Sequence, residues 1–177
     1  MSDVVADFSF GQEFCMNLDL PDRRYVVKDA GGRIVALLPM GLGGDVFAGT
    51  DRWNIKVERH NVSWAIVAHN TPDGAEAGGI AEGLIPDSHK LWIGTDTVYH
   101  VAENPLNGTW SIKEGHVHLA RLTNITQSSS TITTLDAPTD AAPLSLAIIL
   151  TLELIKAECS IPGIEAGGGG AGHPYAP

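Results

Sequence analysis

Seven of the 11 lysines and arginines fall within residues 1–60. Arg23, Arg24, Lys28 and Arg33 form one group, and Arg52, Lys56 and Arg59 form the next. Arg24 and Lys28 are four apart, as are Arg52 and Lys56, so on β-strands each pair shares a face. If the two groups are neighbours, their heads would converge on a phosphate or lipid head group, the chemistry that clustered Lys and Arg recognise best. Arg24, Lys28, Arg33, Arg52 and Lys56 are therefore the candidate anion-binding residues. Asp22, Asp29, Asp51 and Glu58 are interleaved with them, and the competing reading is a solvated face of ion pairs.

Other reactive groups are sparser. His116 and His118 are two apart in a predicted strand and would project together, with His100 as a third candidate metal ligand. The competing reading is an outward polar face, since neither a cysteine nor an HExxH-type spacing lies nearby. Gly41-Leu42-Gly43-Gly44 lacks the Lys and Ser or Thr of a phosphate loop, and no nucleophile elbow is present. The carboxylates are scattered. No catalytic residue, metal or cofactor is assigned. Trp53, Trp64, Trp92 and Trp110 would suit a stacking platform, but their repeat positions make them inward core residues.

These side chains are carried by repeated hairpins. Tyr25-Val26-Val27-Lys28 runs through Asp29-Ala30-Gly31-Gly32 into Arg33-Ile34-Val35-Ala36-Leu37-Leu38, two β-rich runs around a Gly turn. Trp53-Asn54-Ile55-Lys56 leads to Trp64–Ala68, and Trp110-Ser111-Ile112-Lys113 leads to Val117–Leu122. In each copy an aromatic and the Val or Ile two positions later share one face, while Lys falls on the other. A strand over Glu13–Leu18, short strands over 79–85, 91–93 and 97–101, and one at Thr131–Leu135 complete the pattern. Turns at Pro72-Asp73-Gly74, Pro86-Asp87 and Asn104–Gly108 separate them.

The segment Leu144–Ile155 alternates formally like a strand. Its length and its Leu, Ala, Glu and Lys content favour a helix over 141–157, apolar nearly all round and hence enclosed. Asp140 is its candidate cap, with Pro143 in the first turn. A β-trefoil or sandwich with this segment as a strand is the alternative architecture. Residues 161–177, with Gly167–Gly170, read as a Gly/Pro-rich disordered tail behind one domain of residues 1–160.

Composition bounds the partners. A chain of 177 residues with 44% hydrophobic and 18% charged residues suits one globular domain. Its net charge of −10 works against nucleic acid. No apolar run reaches the ~20 residues of a membrane span. Met1–Phe14 lacks a secretory pattern, and Cys15 and Cys159 fit free thiols, so the expected location is cytoplasmic.

The stretch from Tyr25 to Ala36, the matching Trp110–Leu122 stretch and the terminal Leu144–Ile155 segment resemble the tubby C-terminal-like superfamily, in its LURP-one-related and scramblase-like branch. The resemblance spans roughly residues 13–157. It implies a mostly β fold, a closed antiparallel β-barrel of about twelve strands enclosing one apolar C-terminal helix. It also implies association with phosphoinositides or phospholipids. The chain departs from the family's better-known branches in its acidic balance and in lacking both a membrane-spanning extension and a calcium-loop pattern. The functional expectation is a non-enzymatic binding or scaffold domain for phospholipid head groups or a protein partner. A structural protein forming homo-oligomers is the alternative, and a metal-dependent enzyme comes third.

Overall fold

The computed structural model describes residues 3–60, 63–83, 88–95, 97–135 and 144–159, without the side chains of His60, Thr97 and Cys159. Asp29 shows how a hairpin closes. Its Oδ1 accepts the backbone N–H groups of Gly31 at 3.0 Å and Arg33 at 2.9 Å. Its carbonyl accepts that of Gly32, 3.0 Å away. Gly32 sits at φ +82°, a conformation in which a Cβ would be strained. The expected turn thus joins β2 (Arg24–Asp29) to β3 (Ile34–Pro39).

The same device recurs around the molecule. β1 (Glu13–Asp19) precedes that hairpin, and β4 (Gly44–Ala48), β5 (Asp51–His60), β6 (Ser63–Asn70) and β7 (Glu76–Glu82) follow it. Then come β8 (Ser88–Ile93), β9 (Thr97–Asn104), β10 (Thr109–Glu114), β11 (Val117–Thr123) and β12 (Ser129–Thr134). Each strand pairs antiparallel with its neighbours in sequence, and β1 returns to β12 through Phe14↔Ile132 and Met16↔Ser130. The sheet is therefore a closed barrel whose strand edges are all paired. β4 is an addition to the expected strands, and it begins at Gly44, the last residue of Gly41-Leu42-Gly43-Gly44. The expected turn Pro86-Asp87 and the last two residues, 84–85, of the expected 79–85 strand lie outside the described residues, as does the 161–177 tail.

Strand alternation decides what faces the lumen. Leu91, Tyr99, Val101, Trp110, Ile112 and Ile132 are buried, while Lys90 and His100 between them are exposed. The lumen is filled by α1 (Leu144–Cys159), which is buried from Leu144 to Ala157 except at half-buried Ser145. Each Leu or Ile so enclosed contributes about 1.5–3 kcal/mol relative to exposure. Its helical geometry, with Thr151 Oγ1 donating to the Ala147 carbonyl at 2.8 Å, removes the trefoil and sandwich alternatives. Asp140 and residues 141–143 of the expected helix lie outside the described residues.

Two glycines set how closely β7 packs. A Cβ on Gly78 would stand 3.3 Å from Leu146 Cδ2 and run into the Trp92 carbonyl, so only Gly lets this strand approach both β8 and the helix. A Cβ on Gly79 would strike the Trp92 indole, whose Nε1 donates to Glu76 Oε2 at 3.2 Å. Trp92 is thus laid over a glycine, only partly buried, and Trp64 likewise sits half-buried beneath the Arg59 guanidinium. Trp53 and Trp110 are core residues and Trp64, on the face of Ile66 and Ala68, packs against that core; Trp92 alone of the four is not the inward residue that its position implies.

Candidate functional site

The residues singled out for anion binding lie on the outer wall between β2 and β5. β3 and β4 separate those two strands, so the pairs Arg24/Lys28 and Arg52/Lys56 are not neighbours. The arginines are already engaged. Arg24 lies among three carboxylates, at 3.6 Å from Asp3, 3.4 Å from Asp19 and 3.3 Å from Asp22. Arg33 Nε bonds Asp29 Oδ2 at 2.8 Å, and Arg52 Nη2 bonds Asp45 Oδ2 at 2.7 Å while its guanidinium rests over Phe47.

These contacts leave a mark on the acids. The Arg33 backbone N–H and guanidinium hold Asp29 below the usual carboxylate range. Asn54 Nδ2, followed by Arg52, does the same for Asp45. Lys28 and Lys56 are exposed and, among the described residues, have no carboxylate within 4.0 Å. Lys28 shares a shallow groove of about 330 Å³ with Arg24, Asn17 and Asp19. This wall offers an anion two separated ammonium groups and three arginines, Arg24, Arg33 and Arg52, that carboxylates already neutralise; Arg23 and Arg59 are exposed, with no carboxylate within 4.0 Å among the described residues.

A second set of cations comes together on the other side of the barrel. In the register of β8 to β11, Lys90 pairs with His100, His100 with Lys113, and Lys113 with His118. Residues paired across antiparallel strands present their side chains on the same face about 5 Å apart, so the four form one lateral row roughly 15 Å long. Their flanking residues Leu91, Tyr99, Val101, Ile112 and Leu119 are buried, which places the row outside. A bulge between Ile112 and Lys113 lets Leu119 join the core while His118 stands beside Lys113. Arg121, exposed and paired with Ser111, lies on the same strand.

Among the described residues no carboxylate comes within 4.0 Å of Lys90, Lys113 or Arg121. His118 reports the resulting field. Partial burial first, then Lys113 and Arg121, press its pKa below the usual histidine value. Its Nδ1 is shielded from solvent and has no hydrogen-bond partner among the described residues. His116, considered with His118 as a metal pair, falls in the turn before β11 and not on the strand. Among the described residues no three His, Cys, Asp or Glu side chains are grouped as metal ligands, and no helix is long and apolar enough to cross a membrane.

The row escaped the sequence reading because it depends on the register of three successive hairpins. Only the outward placement of Lys113 was visible beforehand. A second feature also escaped it. Glu153 and Lys156, read as helix-favouring residues, form an ion pair inside the barrel, with side chains 1% and 2% exposed. Lys156 Nζ donates to Glu153 Oε1 at 2.6 Å and to the Pro39 carbonyl at 2.7 Å. Gly43 N–H reaches Glu153 Oε2 at 3.4 Å. Burial pushes the Glu153 pKa up and the Lys156 pKa down, and each partner's charge opposes the other's shift. Enclosed in this way, the pair fastens the last turns of α1 to the β3–β4 connection.

No protein-family model matches the chain, and no curated protein sequence matches it. Among solved structures, an X-ray structure of a protein from Arabidopsis thaliana aligns over 85% of this chain and 96% of its own, at 13% identity and a TM-score of 0.35. A likeness that loose carries no argument about fold or function.

Proposed function

We propose that the chain is a cytoplasmic, non-enzymatic binding domain of the tubby-like kind that recognises the phosphate of a phospholipid head group on the outside of its barrel. The tubby-like part of the reading is supported by a closed twelve-stranded antiparallel barrel around a C-terminal apolar helix. The head-group part rests on one observation, the row of Lys90, His100 and Lys113 with Arg121 beside it, aligned by register and left without carboxylate partners. Charge-assisted hydrogen bonds from Lys and Arg to phosphate are among the stronger polar contacts available at a surface. Several cations on adjacent strands would engage more than one phosphate oxygen at once.

The row must work against a net charge of −10, so the attraction is local, acting within about a Debye length of 10 Å at 0.1 M salt. Lys28, with Arg24 behind it, is a secondary contact on the opposite wall. Co-sedimentation with phosphatidylcholine vesicles, with and without 20–30% (roughly; enough to reach a surface potential of tens of millivolts) phosphatidylglycerol, tests the reading. Binding should require the anionic lipid, weaken with salt and fall in Lys90→Glu/Lys113→Glu. Equal sedimentation with both vesicle types, or none with either, removes it.

A further inference from the structure

We infer that the β8–β11 surface is a proton-coupled binder: it holds a phosphodiester lipid head group more tightly in weakly acidic than in neutral solution, because two histidines stand between its permanent cations. The inference rests on the function proposed above and adds its regulation. Its geometric basis is the alternation Lys90, His100, Lys113, His118 on four adjacent strands. Each histidine is a nearest cross-strand neighbour of at least one lysine; His100 stands between the two lysines, and His118 lies beyond Lys113 on the strand of Arg121.

The groups facing each ring define the effect. His100 lies between Lys90 on β8 and Lys113 on β10, with Val98 and Ala102 on its own strand face. His118 faces Lys113 on β10 and Arg121 on its own strand. Towards β12 the register ends at Ala120↔Thr134 and at the bond from Leu135 N–H to the Leu119 carbonyl. Thr133 faces Arg121 there, and the chain beyond Leu135 lies outside the described residues. The carboxylate nearest along β10 is Glu114, opposite Val117, and its charge is felt by the Tyr99 hydroxyl.

In the free protein, partial burial first and then the charges of Lys113 and Arg121 disfavour the protonated form of His118. A phosphate bound across the row reverses that field and adds an acceptor for the imidazolium N–H. Protonation and binding then favour each other, as linkage requires. Histidine is the side chain whose charge ordinarily changes between pH 5 and 8, so the gain falls in the weakly acidic range.

The probe has to keep its own charge constant. A phosphate monoester loses charge near pH 6, whereas the phosphodiester of phosphatidylglycerol does not. Binding to vesicles of phosphatidylcholine with phosphatidylglycerol should be measured at pH 5.5, 6.5 and 7.5 at one ionic strength. The full chain should bind several-fold more tightly at pH 5.5 than at 7.5. His100→Gln/His118→Gln should bind about equally at all three pH values, despite the other histidines and the change in net charge. Failure to bind at every pH sinks the head-group reading itself. Binding without pH dependence, or dependence that survives in the double variant, overturns only the proton coupling. Should the double variant misfold, an NMR titration of His118 in the native chain replaces it: its pKa must rise when a short-chain phosphatidylglycerol is added. An unchanged value overturns the inference, and a rise with inorganic phosphate but not with the lipid overturns the lipid as ligand.

Discussion

The two walls of the barrel use their cationic side chains differently. On β2 to β5, Arg24, Arg33 and Arg52 are each held by aspartates that lie close in sequence, two, four and seven residues away at the nearest, at Asp22, Asp29 and Asp45. On β8 to β11, Lys90, Lys113 and Arg121 are brought near one another by strands whose acids point elsewhere. A run of basic residues in a sequence often carries its own counter-ions within the same hairpin. Cations gathered by register from separate hairpins arrive without them, and those are the ones available to a ligand.

That contrast can be tested from its strongest case downward. Paired charges should matter for stability and unpaired ones for binding. The extreme of pairing is in the lumen, where Lys156→Met would leave Glu153 buried with its main partner gone, a cost of about 3–5 kcal/mol. Urea denaturation should show that loss, whereas Glu153→Leu/Lys156→Met should recover most of it. A double variant as damaged as the single one would mean that volume, and not charge, decides the site.

Next in size is the binding arm. Lys90→Glu/Lys113→Glu should weaken vesicle binding at least tenfold with little change in urea midpoint, and Lys28→Glu/Lys56→Glu should change it by no more than about twofold; tenfold corresponds to 1.4 kcal/mol. If the second pair has the larger effect, the ligand sits on the other wall.

The walls should also lose stability in different pH windows. Asp29 and Asp45 have folded pKa values below their unfolded ones, so their contribution is present above the ordinary carboxylate range and is lost as pH falls through the folded values. His118 is also lowered; the unfolded chain takes up its proton first, so stability declines as pH falls below about 6.5 and towards the folded value. Asp29→Asn/Asp45→Asn should flatten the melting temperature profile below pH 4, and His118→Gln should flatten it just below the ordinary histidine pKa of about 6.5. The smallest effect is expected for Arg33→Ala, whose ion pair is exposed on the arginine side: under about 1 kcal/mol by urea denaturation.

Much of the barrel was legible in the sequence. The Asp29–Gly32 turn and the Trp110-Ser111-Ile112-Lys113 alternation carry local signals, and the uniformly apolar Leu144–Ile155 segment has no stable place except inside. β4 was not legible, because Gly43 and Gly44, at φ +73° and +94°, look like loop and yet lead straight into a strand. The inward assignment of Trp92 failed because Gly79, the cross-strand partner that opens an outer slot for its indole, is 13 residues away. The cationic row needs three registers and a bulge to be known together. The lumen pair needs Pro39 and Gly43, which lie more than 100 residues from the helix.

The order of elements along the chain has a consequence for synthesis. All twelve strands are translated before α1, and the side chains of Trp53, Ile55, Ile112 and the others meant for the lumen have nothing to pack around until the helix leaves the ribosome. The growing polypeptide is then a sheet in search of its centre, greasy on one face and open at the β1–β12 seam. Emergence of α1 should be the moment at which those lumen-facing side chains become covered.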